Sequence, residues 1–435
     1  MKRINGNTIA ERFKGVFSEW ELNQLGKAVR YCQRERVVTP FRLIVAMVSS
    51  LGQGKVETLA DIHRSFNALF GEGLAYKPFH NRLAKRGFAE FMRACVERVL
   101  ERLVLRVLEV KRGQAFWEFR RIIIHDGSSF AVKDSLRDVF PGRFSRVSPA
   151  AVELHVSIDL LSESVEHVTL TPDTFGERAE LPAPESLRGC LLLADRGYFS
   201  LSYVAQMMEA GASFVIRAKT NLNPEVLDAY VGEAGKRLRR FRGKPFQEVV
   251  NRLPKKRALD LDVLWQTAQG PLACRLVVSY HSKRREFRYL LTNLPRRVYS
   301  AEKVALAYRL RWQIELLFKE WKSYANLHAF DTSKSEIAEG LIWAAIAAAT
   351  VKRYLAHATQ HLAQIEISTR KAAMCVQHVM GAIIDALIDG HLARLCQAID
   401  HAIGFLAANA RRAHPKRDRE TGRLQLGLVP VFNLA

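Results

Sequence analysis

The segment Tyr308–Lys322, YRLRWQIELLFKEWK, has the periodicity of one long helix. At about 100° per residue, Tyr308, Arg311, Glu315, Lys319 and Lys322 fall within an arc of roughly 80°. Leu310, Ile314, Leu317 and Trp321 gather on the opposite side. One side is built for burial. The other sets a single carboxylate in a stripe of cations and a phenol, whereas a solvated helix usually spreads Glu and Lys as i,i+4 pairs around its circumference. From this segment alone an ordinary salt-bridged surface helix remains the alternative, and acids elsewhere in the chain decide between the two.

Two such acids lie upstream. Ile122-Ile123-Ile124-His125-Asp126-Gly127 is a β-branched run closing on a carboxylate and a glycine, as in a buried central strand that presents an acid at its end. Cys190 to Gly197, CLLLADRG, repeats the arrangement around Asp195. Strands are expected over 153–161, 164–171 and 213–218 with a helix over 198–210, which makes a mixed α/β layer. Either aspartate alone could cap the turn after its strand. Both together, each on a hydrophobic strand, favour a shared site. His125 alternates to the other strand face and reads as structural rather than as a ligand.

Tyr308, Arg311, Glu315 and Lys322 match, in type and spacing, the YREK signature of the insertion-sequence-4 group of DDE transposases. HDGSSF at 125–130 and ADRGYFS at 194–200 resemble the first and second acidic motifs of that group. The resemblance spans roughly residues 115–335. It implies an α/β catalytic core of the RNase H-like kind, a mixed sheet flanked by helices, with Asp126, Asp195 and Glu315 as the catalytic, metal-holding acids. It also implies two Mg²⁺ ions, with Mn²⁺ as the substitute, and double-stranded DNA as partner, both the element's terminal repeats and target DNA, bound by a homodimer in the synaptic complex. Tyr308, Arg311 and Lys322 would hold the DNA backbone near the scissile phosphate. Lys319 on the same helix face and Arg196 beside the second aspartate are further DNA-binding candidates. The chemistry agrees with such a donor set, because paired hard cations take carboxylate oxygens and stabilise both the attacking and the leaving oxygen of a phosphodiester.

The whole chain sets the bounds. Its 435 residues, 48% hydrophobic, are enough for two or three domains with real cores. Lys and Arg exceed Asp and Glu by 66 − 44 = 22, giving a charge of +22. The pI is near 10.0, which points to a polyanionic partner, most simply nucleic acid. No basic amphipathic helix with a lipid-facing aromatic stripe supports a membrane surface instead. The apolar run Leu341–Val351 is too short to span a bilayer and is expected as a core helix, so no membrane partner is expected. Cys32, Cys95, Cys190, Cys274, Cys375 and Cys396 are scattered without a CxxC pair, as reduced thiols in a cytoplasmic protein, and the resemblance makes it a bacterial, nucleoid-associated one. After Met1-Lys2-Arg3 no continuous apolar stretch suggests a signal peptide.

Five segments are expected. Residues 1–115 are helical and a DNA-binding candidate. Thr39-Pro40 opens a helix, and two more, over 58–70 and 77–86, flank Gly71-Glu72-Gly73. The second carries Lys77, Arg82, Lys85 and Arg86, which suits a helix-turn-helix entering a major groove; a plain helical hairpin with a solvated basic face fits equally well. A helix is expected to run from Arg93 to Val110. Residues 116–225 form the first part of the core. Asp195 and Glu315 lie 120 positions apart, too many for the core alone, so 226–299 reads as a β-rich insertion with strands over 246–253, 259–265, 272–280 and 287–292. Within it, Trp265 is a candidate for stacking on an unpaired base, set against a core reading in register with Leu259, Leu261 and Val263. The basic segments Lys236–Lys244, Lys255-Lys256-Arg257 and Lys283-Arg284-Arg285 are expected at phosphates. Residues 300–360 complete the core with the catalytic helix, and 361–435 form a helical C-terminal region with a basic tail, flexible over Arg411–Arg423.

The expected function is DNA transposition by metal-dependent strand cleavage and strand transfer at the ends of an insertion sequence. A standalone RNase H-like nuclease would not need the basic helical front, and a non-catalytic DNA-binding derivative would not need all three acids. DNA binding should be steeply salt-dependent, since each neutralised phosphate contributes about −0.9 to the slope of log K against log salt. A flat slope in a salt titration by fluorescence anisotropy would refute the electrostatic reading.

Overall fold

The computed structural model describes residues 5–434 except 55, 232–234, 251, 253, 254, 256, 283, 284, 326, 328–330 and 414–421. The chain opens with six helices: α1 (Gly6–Val16), α2 (Glu19–Ala28), α3 (Pro40–Gln53), α4 (Leu59–Phe70), α5 (Tyr76–Leu83) and α6 (Phe88–Arg102). Local chemistry sets their ends. The Thr39 side chain accepts from Arg42 N at 3.2 Å with Pro40 in the first turn, and Thr58 and Asp61 form a reciprocal capping box. Gly71, at φ 61°, ends α4 in the left-handed region. The helix expected through Val110 stops at Arg102, and Leu108–Val110 is instead a strand, β1.

The sheet follows. Its strands are β2 (Arg121–Ala131), β3 (Pro141–Phe144), β4 (Ser148–Asp159), β5 (Ser164–Pro172), β6 (Cys190–Ala194) and, after α7 (Leu201–Glu209), β7 (Ser213–Arg217). Next come β8 (Glu225–Val231), β9 (Lys236–Arg237), β10 (Lys244–Pro245), α8 (Phe246–Val250), β11 (Leu259–Thr267), β12 (Gly270–His281) and β13 (Glu286–Thr292). Among the described residues they join in one twelve-stranded mixed sheet ordered β10-β8-β11-β12-β13-β7-β6-β2-β4-β3, with β5 also on β4 and β9 on β8. β2, β6 and β7 are mutually parallel, whereas β4 and β13 run antiparallel to their neighbours. The residues of the expected insertion therefore extend the same sheet through β13 on β7. The strand expected over 246–253 is a helical turn over Phe246–Val250, with Phe246 and Val249, three apart and both buried, on one face, and residues 251 and 253 lie outside the described residues.

Alternation along the parallel strands feeds two cores. Ile122, Ile124, Leu191 and Leu193 pack into the one shared with most of the helices, while Ile123, Leu192 and Ala194 pack into the one shared with α7, β8 and β11. The first core holds α9 (Ala301–Arg309), α10 (Trp312–Tyr324), α11 (Ser335–Ala363), α12 (Thr369–Cys375), α13 (Met380–Asp389) and α14 (Leu392–Asn409). The 29-residue α11 is its axis, buried over most of its length. Among the described residues no single helix is long and apolar enough to cross a membrane, and the six cysteines are free thiols.

The chain after the charged tail packs back on the fold. Residues 414–421 of the expected flexible stretch lie outside the described residues. Arg423, at its end, is buried against Glu163, and β14 (Leu428–Pro430) pairs antiparallel with β1.

A buried ionic knot fixes the approach to α9. Arg275 on β12 donates to both Asp260 oxygens at 2.8 and 2.7 Å and to the carbonyls of Leu294 and Tyr299 at 2.8 and 2.7 Å. Arg296 joins Asp260 and Asp262 and lies over the Tyr230 ring. Removing one partner of such a knot strands the rest. Arg275→Met should cost about 3–5 kcal/mol, read as a lowered urea midpoint; an unchanged midpoint would refute the role given to this arginine.

Candidate active site

Register brings the two aspartates together. β2 and β6 pair in parallel up to His125↔Ala194, so Asp126 and Asp195 are the next residues on adjacent strands, which lie about 4.8 Å apart. Both share the facing of Ile124 and Leu193, towards α9 and α10. Asp126 is not the end of its strand, as the sequence suggested: β2 continues to Ala131 along β4, and only its pairing with β6 stops at residue 125.

The helical segment supplies the rest. Leu310, Ile314, Leu317 and Trp321 are buried as their periodicity requires. It is not one uninterrupted helix. Between α9 and α10, the amides of Leu310, Arg311, Gln313 and Ile314 bond three residues back instead of four, which tightens a turn at 310–311. That turn sits at Arg311. Its Nη1 donates to Asp126 Oδ2 and its Nη2 to Glu315 Oε1, each at 2.6 Å. One guanidinium thus links the first and third acids. The Tyr308 hydroxyl donates to Asp195 Oδ1 at 2.7 Å, and Lys322 Nζ donates to the Ser129 carbonyl on β2 at 2.9 Å.

Burial and charge set the protonation of this group. Burial pushes Asp126 up to about 6, against the opposing charge of Arg311, with Asp195 and Glu315 adding to the rise. Burial works against the charge of Asp195 too. There the Tyr308 hydroxyl, the Arg196 amide and the Arg311 and Arg217 charges outweigh it and hold the carboxyl below its ordinary value. Burial likewise opposes the Arg311 charge, but the surrounding acids, Asp126 foremost, raise its pKa and keep it protonated. Tyr308 is held well above the usual phenol range by burial and then by Asp195, so it donates.

The remaining candidates divide. Exposed Arg196 rims a hollow with Asp195, Lys219 and Asn221, and Lys319 is exposed with its ammonium 5.1 Å from the Trp312 ring centroid. Lys77, Lys85 and Arg86 are exposed on and after α5, and Arg82 is packed on Tyr31. Among the described residues no hydrogen bond, ion pair or ring contact joins these four to the acids. Trp265 is 8% exposed and packs in the second core with Leu261 and Val263. His125 is buried on Ser157 Oγ at 2.9 Å and against Tyr198, with burial lowering it to about 3, as its strand position suggested. Arg217 escaped the sequence reading: it lies 3.9 Å from Asp195 and 3.3 Å from Glu286, at the end of β7 next to the second acid. Only its place at the end of a parallel strand could have signalled it.

Three carboxylates without imidazole or thiolate are the donor chemistry of a hard divalent cation. Two of them, Asp126 and Glu315, are held on the Arg311 guanidinium, and the third, Asp195, on the Tyr308 hydroxyl. Among the described residues no three acidic, histidine or cysteine side chains are grouped to hold an ion. By chemistry alone, carboxylate oxygens are the donors such a cation takes.

The sequence has counterparts among known proteins. The family model of the transposase DDE domain matches residues 117–351, more than half of the chain, and the chain belongs to that family. Members generally use divalent metal ions. The chain is 21% identical, over 75% of its length and 76% of the relative's, to the transposase for insertion sequence element IS1151 of Clostridium perfringens. It is 22% identical to that for IS231C of Bacillus thuringiensis subsp. berliner, over 95% and 93%. The protein is a DDE transposase. A piggyBac transposase synaptic complex with hairpin DNA aligns at TM-score 0.46 and 12% identity, over 91% of this chain and 84% of that one.

The Asp126 shift has a measurable sign. A carboxyl raised from 3.8 to about 6 in the folded state contributes stability that is full below 3.8 and lost as pH rises through about 6. Without divalent ions, the stability of the wild type minus that of Asp126→Asn should fall across that window by at most about 3 kcal/mol. Urea unfolding at stepped pH reads it, and a difference that rises with pH would refute the assignment.

Proposed function

We propose that the chain cuts and joins DNA strands at the ends of an insertion sequence, with Asp126, Asp195 and Glu315 as the acids of an RNase H-like core. The observation that carries this is the shared guanidinium: residues 126 and 315, far apart in the chain, meet on Arg311, with residue 195 in register beside them. The strand order β5-β4-β2-β6-β7, two antiparallel pairings followed by two parallel ones, supports the RNase H-like reading.

In this reading the acids hold two Mg²⁺ or Mn²⁺ ions, which supply charge to the attacking and leaving oxygens when bound. The protein's own groups do the positioning. Arg311 exchanges its carboxylate partners for a DNA phosphate, for which its planar fork is equally suited. Tyr308 keeps Asp195 ionised and oriented. Lys322 fixes the β2 backbone beyond Asp126 and, with Lys319 and Arg196, meets the strand on either side of the scissile phosphate. Residues 1–115, the β-rich stretch 226–299 and the C-terminal region 361–435 serve end recognition and pairing of two protomers on DNA, in a nucleoid-associated cytoplasmic enzyme. Three intact acids speak against a non-catalytic derivative.

The test is Mg²⁺-dependent cleavage and strand transfer on DNA carrying the terminal repeats that flank the gene. The wild type should cut and join. Asp126→Asn should lose both by more than a hundredfold, about 3 kcal/mol of activation energy or more, while binding the same DNA nearly as well. Equal cleavage by the two proteins would refute the site.

A further inference from the structure

Away from the acids, the chain between α2 and α3 and the chain around α5 enclose a cavity of about 760 Å³. Its volume lies within the roughly 300–1,000 Å³ of small-ligand sites. Val38, Leu74 and Pro78 give it an apolar lining, and Arg34, Arg36, Lys85 and Arg86 stand exposed around it. Among the described residues no carboxylate lines it. Glu35, the acid of the same loop, is drawn aside to Lys27 at 2.8 Å and Asn23 at 3.3 Å. The charged side chains that line the hollow are therefore all cationic.

Its wall is a prepared plate. The Arg82 guanidinium lies 4.9 Å from the Tyr31 ring centroid and donates to Cys32 Sγ, while the Tyr31 hydroxyl donates to the Arg82 carbonyl at 3.2 Å. Tyr31 in turn stacks on Phe91. The guanidinium carbon lies over the ring, and the buried Arg82 Nε has no hydrogen-bond partner among the described residues. A bare phosphate would have no use for the apolar lining, and a convex duplex surface would not fill a hollow. A flat heterocycle carrying phosphate uses both, since bases stack on arginine planes as they do on aromatic rings.

We infer that this cavity binds a single nucleotide, its base against Arg82 and its phosphate on Arg34, Arg36 and Lys85. Two sources share that chemistry: a nucleotide unpaired from DNA, and a free nucleoside triphosphate. The inference does not rest on the strand-transfer reading, and binding is measured apart from cleavage.

The experiment uses the full-length protein and three probes: 2-aminopurine riboside triphosphate, a duplex with one unpaired 2-aminopurine, and the same duplex fully paired. Stacking should quench the fluorescence of the triphosphate, of the unpaired residue, or of both, and not that of the paired one. Which probe responds identifies the source. Arg34→Ala/Arg36→Ala/Lys85→Ala changes only exposed side chains and should weaken the quenched complex about tenfold or more, as expected for lost charge-assisted contacts. Arg82→Lys keeps the charge and removes the plate, so it should reduce the quench more than the affinity. Equal quenching of paired and unpaired duplexes, no quenching of any probe, or undiminished binding by the triple variant would each overturn the inference.

Discussion

The parallel pairing of β2 with β6 is the constraint on which the molecule turns. A slip of one residue would move Asp126 to the face of His125, send Ile122 and Ile124 into the wrong core and separate the two aspartates. Near-continuous apolar runs make that register expensive to change, because both faces of these strands are buried. Placement of the acids is therefore a by-product of the fold's strongest preference. The helices then need to bring one more carboxylate to a spot already determined.

The third acid arrives with its own counter-charge. Asp126, Asp195 and Glu315 crowded in a half-buried space would repel one another, and the Arg311 guanidinium relieves this by bonding two of them while the Tyr308 hydroxyl takes the third. The tightened turn at 310–311 puts that arginine at the junction of two helices. The Arg275 knot fixes the chain just before α9, and the Tyr299 hydroxyl anchors it further on the Ala115 carbonyl and on Glu118 at 2.6 Å.

What was legible in the sequence follows from where information is stored. Asp126 and Asp195 each close an apolar run, and Glu315 stands in a polar stripe opposite Leu310, Ile314, Leu317 and Trp321; those are local patterns, and the strands and buried helix face agree with them. The tightened turn at Arg311 has no local signature, since its partner Asp126 lies 185 positions away. Arg423 read as part of a loose basic tail for the same reason: Glu163 is 260 positions off. Phe246–Val250 was too short for its period to separate a helical turn from a strand. Trp265 alternates with Leu261 and Val263, and that pattern pointed correctly to the core. The cavity beside α5 joins a loop to a helix, and only its cations could be seen in advance.

β14 closes on β1, and the turn before it at Gly427 lies against Gln114, next to the segment that receives Tyr299. The brace on α9 is thus completed by a pairing between strands far apart in the chain. The loop that this pairing closes spans most of the described residues, so the support of the segment before α9 forms in a slow, non-local step of folding.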